Sequence, residues 1–252
     1  MKQFFFICTL FTFLTTTLHA QGFKGLVKNV VKKDSTGKIS INNILTASGQ
    51  KGGLTNSEII SGLKEALQVG AQRGSSKLSA VDGFFKDAAL KILMPPDAKK
   101  VENTLRDFGM GKQVDNAILA MNRAAEDAAK NAAPIFINAV KQMSFEDALS
   151  ILKGGDFAAT NYLKGKTTQS LTEAFRPVID SSLKKVNATK YWNTLFTTYN
   201  KFGKEKVNTD LSAYVTEKSL TGIFYQLGLE EQKIRKDPLA RTSDILKKVF
   251  AN

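Results

Sequence analysis

From Leu54 to the C-terminus, apolar residues recur three and four positions apart in segment after segment, and no stretch sustains the alternation of a strand. A period of that kind calls for helices that each bury one stripe, and leaves no material for a sheet. The expected fold is all-α, a multi-helix bundle of roughly nine to eleven helices joined by short loops. With 252 residues, 42% of them hydrophobic and 17 of them Phe, the chain can bury a core without disulfide staples.

The clearest helix start is Thr55, which has Glu58 at capping-box spacing and Leu54 placed to staple onto Ile59. Ile59, Ile60, Leu63, Leu67, Ala71 and Leu78 then form the buried face. Gly62, Gly70 and Gly74 cost helix propensity, which predicts a second helix packed close against them. Asp82-Gly83 reads as a turn, 84–93 as a short helix or irregular segment, and Pro95-Pro96 as a stop. A helix over 97–108 carries Ala98, Val101, Leu105 and Phe108 and ends at Gly109. The next, over about 112–131, turns Val114, Ala117, Ile118, Met121, Ala125 and Ala128 inward.

Further along, Pro134 reads as the first residue of a helix to Gln142, and Ser144 with Asp147 caps another that ends at Gly154-Gly155. Asp156 is placed to cap a short helix to Lys164. Thr167 is placed to cap a longer one with Phe175, Ile179, Leu183 and Val186, kinked at Pro177. An aromatic segment over 191–202 precedes a polar connector. The last long helix starts at Asp210 or Thr216, buries Leu220, Ile223, Phe224, Leu227 and Ile234, and halts before Pro238. Ser243 or Asp244 then caps a final turn.

The front of the chain is different. Lys2, the apolar run from Phe4 to Leu14 and the small residue in Leu18-His19-Ala20 have the form of a secretory signal peptide cleaved after Ala20. The expected organisation is therefore 1–20 leader, 21–53 a basic, loosely attached segment, and 54–252 the helical domain. The expected location is exported, periplasmic or secreted. The chain's only Cys and only His, Cys8 and His19, fall in the leader. A mature chain without either cannot use Ser/His/Asp or Cys/His catalysis, thiolate or imidazole metal sites, or disulfides. We expect no catalytic residues, no metal site and no cofactor.

The formal charge is +13. For an exported protein it suits anionic lipid, acidic glycan or acidic protein, or is simply the solvation of helix faces by lysines spread along the chain; no Arg-rich or aromatic-interleaved tract marks a nucleic-acid groove. Lys24, Lys28, Lys32, Lys33, Lys38 and Lys51 face only Asp34 in the front segment. Phe23, Leu26, Val27, Val30 and Val31 make an apolar stripe within 23–33. That helix suits peripheral contact with an anionic membrane, or equally packing on the domain with its lysines solvated.

The blocks NSEIISGLKEAL, MNRAAEDA, FINAVKQMSFEDALSILKGGDFAATNYLKGKT, LTEAFRPVID and LSAYVTEKSLTGIFYQLGLEEQKIRKDPLARTSDILKKVF occur in this order. In them the chain resembles a family of exported bacterial proteins, the domain of unknown function family 4197, over about residues 54–250. The resemblance implies an exported, helical, single-domain protein with no established activity and no catalytic residues to carry over.

Four constellations are candidates for function. In MNRAAEDA, Asn122, Arg123 and Glu126 form either a polar pocket for a carboxylate or phosphate, or a surface pair. Lys153-Gly154-Gly155-Asp156 forms a tight corner between helices or an anion cradle at a helix N-terminus, and the carboxylate of Asp156 opposes the cradle. Glu231, Arg235 and Arg241, with Glu230, Asp237 and Asp244, either lock the terminal segment onto the body or line an anion site. Trp192, Phe196, Tyr199 and Phe224 are either core or the lining of a cavity for a hydrophobic ligand. Together these readings describe a non-catalytic binding or interaction protein of the cell envelope, with an unknown envelope protein or a hydrophobic or anionic ligand as partner. The alternative is a carrier of a lipid or other hydrophobic molecule in an aromatic-lined helical cavity.

Overall fold

The computed structural model describes residues 55–202 and 206–237, together with Arg241 and Lys247. The leader, the 23–33 helix, the Leu54 staple and the final turn after Ser243 lie outside the described residues. Within them the fold is all-α, with eight α-helices and one 3-10 turn among the described residues, fewer than the nine to eleven expected. No described helix is long and apolar enough to cross a membrane.

Helix α1 (Asn56–Ser79) opens on the capping box, with the Thr55 hydroxyl accepting from Glu58 N and the Glu58 carboxylate accepting from Thr55 N at 2.8 Å. An irregular stretch follows, started by Asp82 at φ 69°. A 3-10 turn (Pro96–Ala98) then leads into α2 (Lys99–Asp107), and Gly109 at φ 76° closes it as expected. Next come α3 (Gly111–Ala129), α4 (Ala132–Lys141) and α5 (Phe145–Lys153), the last with a Ser144–Asp147 capping box. Pro134 sits third in α4 and not first, still within the turn whose N–H groups have no helical acceptor. The remaining helices are α6 (Ala158–Lys185), α7 (Ala188–Phe202) and α8 (Leu211–Lys236), and the Asp210 carboxylate caps α8 by accepting from Ala213 N at 2.9 Å.

The shortfall in helices arises mainly at α6. Two helices were expected here, capped by Asp156 and Thr167, and one continuous helix forms instead. Thr167 is fully inside it and donates to Leu163 O, while Gly165 and Pro177 are both carried in its interior. The residue before the helix is Phe157, and Asp156 turns away to bond Lys236 at 3.0 Å. Once buried leucines on both sides of Gly165 share one stripe, packing outweighs the propensity cost of a single glycine, about 1 kcal/mol.

Helix α6 packs along α3 and α8, and α1 packs along α4 and α8. Leu63, Leu78, Phe84, Met121, Phe136, Leu171, Phe175 and Ile179 are almost wholly buried between them. The close helix expected at the α1 glycines is α8: a Cβ on Gly70 would meet Glu230 Cβ at 3.6 Å, and one on Gly74 would meet Gln226 Cγ at 3.5 Å. Phe108, expected on a buried face, is 77% exposed, because α2 ends before it and Gly109 turns the chain outward.

Three substitutions test this packing by chemical denaturation. At Gly222 a Cβ would lie 2.5 Å from the buried Phe84 ring. Gly222→Ala should therefore destabilise by about 1–3 kcal/mol through overpacking, although the change favours helix. Leu63→Ala should cost about 2–5 kcal/mol, and Thr55→Ala about 1 kcal/mol. A stabilised Gly222→Ala protein would mean that the contact between α8 and Phe84 is wrongly placed.

Candidate functional site

The charged residues of MNRAAEDA are occupied by the chain itself. Having no helix of its own, the stretch between α1 and α2 must find acceptors and donors elsewhere for its buried backbone groups. Helix α3 supplies them. Glu126 Oε1 accepts from Phe84 N at 3.1 Å and Phe85 N at 3.2 Å, and Oε2 accepts from Arg123 at 2.6 Å. The other guanidinium nitrogen of Arg123 reaches Asp82 at 2.6 Å. Asn122 makes a paired contact with Ile92, accepting from its N–H and donating to its C=O, both at 2.8 Å, and also donates to Ile118 O. Asn122 and Glu126 are buried; Arg123 is part-exposed, its guanidinium over the Phe85 ring.

The C-terminal cluster is built on the same plan. Glu231 of α8 is buried and accepts from Ala159 N, Thr160 N and the Thr160 hydroxyl at 3.1, 2.8 and 2.7 Å, so a carboxylate from α8 caps the N-terminus of α6. That is the role expected of Asp156, taken by a residue distant in sequence. Arg235 bonds Glu231 at 2.9 Å and the Ile151 carbonyl at 3.0 Å, which ties in the end of α5. Arg241 donates to the carbonyls of Ile234 and Arg235, closing the end of α8. These side chains spend their hydrogen bonds on backbone groups and on one another.

The aromatic candidates divide. Trp192 and Phe196 pack in a tilted pair with ring centroids 4.3 Å apart and lie on the wall of a groove of about 1000 Å³. Tyr199 packs edge-on against Phe196, outside the lining, and Phe224 is in the core against Phe136 at 5.9 Å. Met94 with Val101 and Leu105 of α2 form one side of the groove, Leu119 and Ala120 of α3 its floor, and Leu195 of α7 part of the opposite lip. Met110, Tyr191 and Leu195 stand 41%, 69% and 37% exposed around it. Toward the C-terminal ends of α3 and α6 the lining turns polar, with Asp127 bonded to Ser182, Lys185 in the last turn of α6, and Arg123 one turn earlier on α3. Leu119 was the available signal in the sequence, because it falls outside the Val114–Ile118–Met121–Ala125 stripe and gives α3 a second apolar face. A smaller hollow of about 550 Å³ beside Pro177 is lined mostly by polar residues, and its Arg176–Asp210 and Ser212–Asp180 contacts pair its charged groups within the chain. Among the described residues no group of three or more His, Cys, Asp or Glu is placed to hold a metal ion.

The clamp on α3 has measurable consequences. Asn122→Ala leaves the Ile92 N–H and C=O without partners, and each buried orphan costs about 1–3 kcal/mol in a denaturation experiment. Hydrogen bonds from Lys86 and then Arg123 hold the Asp82 carboxyl below its ordinary value. A depressed folded-state value contributes stability that is present above the unfolded carboxyl's range and lost as pH falls through the folded one. The stability difference between wild type and Asp82→Asn should accordingly be present at neutral pH and vanish in acid. A difference that persists in acid would remove the charge from this account.

No curated protein and no solved structure matches the chain. A family model does, over residues 53–251, under the description of a protein of unknown function, DUF4197. Covering nearly all of the helical domain, that match makes the chain a member of the DUF4197 family of proteins of unknown function.

Proposed function

We propose that this chain is an exported, non-catalytic binding protein of the cell envelope, and that the groove between α2, α3 and α7 holds an apolar ligand. The observation that carries the reading is the groove itself: about 1000 Å³, walled by Met94, Val101, Leu105, Leu119, Trp192 and Phe196. Ligand sites are typically concave, largely apolar and provided with a few polar groups at defined points, and the volume lies at the upper end of their usual range. The polar clusters support the same choice from the other side, because Glu126 and Glu231 are committed to backbone N–H groups. Export rests on the leader-like first twenty residues. A protein partner seated on exposed Tyr191 and Leu195 is the second reading, favoured by their position on the groove's rim.

Trp192 is the chain's only tryptophan and reports directly on the groove. Titrating the protein with dodecanol, a neutral probe, should shift its emission saturably. Leu195→Glu, which sets a charge on the lip, should weaken that binding at least tenfold while leaving the denaturation midpoint within about 0.5 kcal/mol of wild type, as for a part-exposed site. An unresponsive Trp192 would sink the carrier reading. Native mass spectrometry of the protein from its host's envelope would then decide for the protein partner if a chain co-purifies. N-terminal sequencing of the same sample should begin at Gln21.

A further inference from the structure

The groove is not symmetric along its length, and its charged end distinguishes between possible head groups. Four charged side chains line it: Glu102, Arg123, Asp127 and Lys185. Three are already compensated. Glu102 accepts from Lys99 and Arg106, Arg123 holds Glu126 and Asp82, and Asp127 is bonded by Lys130 and Ser182. Among the described residues Lys185 makes no hydrogen bond and no ion pair; its charge acts on Asp127 from beyond ion-pair distance. Among the described residues it is the one cation on the lining without an ion pair, and it lies in the last turn of α6. The apolar walls run from there along α3 toward Met94 and Leu105.

Dimensions limit the tail. The lining of α3 extends from Gln113 to Asp127, about 21 Å at the helical rise. One leaflet of hydrocarbon is about 15 Å thick, so an acyl chain of membrane-lipid length fits lengthwise. The volume is that of one small ligand's pocket, which favours a single chain over a two-chain lipid. The charge limits the head. One ammonium matches one negative charge, whereas phosphate recognition typically draws on Arg and several donors, and Arg123 is committed elsewhere.

We propose that the groove takes a single-chain fatty carboxylate, with its carboxylate against Lys185 and its chain along α3 toward α2. This rests on the apolar-ligand reading above and specifies its chemistry. The test is a set of Trp192 titrations of the full chain with four probes of equal length: dodecanoate, dodecanol, dodecyltrimethylammonium and dodecyl phosphate. Dodecanoate should bind about two- to fivefold more tightly than dodecanol at low salt, as expected of one solvent-exposed ion pair. That advantage should fade as salt rises. The ammonium should bind most weakly. Lys185→Gln should bring dodecanoate down to the level of dodecanol and leave dodecanol unchanged.

Equal binding of dodecanoate and dodecanol by the wild type would overturn the head-group assignment while leaving the apolar site standing. A uniform loss of all four probes in Lys185→Gln would overturn it too, by showing a packing role. Tighter binding of dodecyl phosphate than of dodecanoate would transfer the site to a phosphorylated amphiphile. Failure of every probe to bind would end both readings together.

Discussion

Two side chains on one turn of α3 fix the part of the molecule that has no regular structure. Between α1 and α2 the backbone passes through the protein with buried N–H and C=O groups that no helix satisfies, and Glu126 and Asn122 satisfy them at Phe84, Phe85 and Ile92. Removing either side chain strands several groups at once, which is far costlier than losing a surface ion pair. The clamp also has a geometric effect. With Ile92 pinned to α3 and Pro95-Pro96 following directly, the chain enters the 3-10 turn and α2 on a set course, and α2 is one wall of the groove. Phe84, placed by the same contacts, fills the space left by Gly222 on α8.

Glu231 repeats the logic at the other end of the domain. A carboxylate against the first N–H groups of α6 meets both the unsatisfied donors and the positive end of the helix dipole. A local residue such as Asp156 would cap the helix equally well but would hold nothing else. Because the cap comes from α8, the start of α6 cannot form its hydrogen bonds unless α8 is packed in place, and Arg235 extends the dependence to the end of α5. Buried ion pairs of this type contribute little net stability against a well-packed apolar alternative, yet breaking one is expensive. Their effect here is to make three helix ends interdependent.

Local signals were legible wherever the physics is local. Both capping boxes, at Thr55 and Ser144, and the glycine stop at Gly109 are decided within four residues and appear as the spacing indicates. The close approach at Gly70 and Gly74 was also readable, because an unfavourable residue repeated on a helix needs a tertiary reason. What escaped the sequence was decided across the chain. Asp156 and Thr167 carry good capping chemistry, and a buried stripe through Leu163 and Leu171 with a distant Glu231 overrode both. Among the aromatics, Phe224 and Trp192 look alike by spacing; only the packed helices send one to the core and the other to the groove. The polar residues of MNRAAEDA were visible as a cluster, but Asn122 and Glu126 bond backbone groups 30, 41 and 42 positions away, and spacing on one helix carries no information about those.

The groove follows from α3 having two apolar faces and only one core to bury. Its inner stripe, through Ile118, Met121 and Ala125, is sealed by α1, α6 and α8, while Leu119, outside that stripe, lines the groove. Apolar surface left in water forgoes about 25 cal/mol per Å², and a contiguous patch of this type on a folded monomer commonly marks a binding surface. The lining is also chemically clean. The indole N–H of Trp192 is spent on the Asn208 carbonyl at 3.1 Å, so the ring offers the groove no unsatisfied donor. An apolar chain lying against the indole would therefore strand no hydrogen bond there. Occupancy would favour the folded state by mass action and tie α2, which packs on α3, to α7, which packs on α6 and α8, across the ligand. In that arrangement the apolar walls set affinity through chain length, and the charged end by Lys185 sets which head group is accepted.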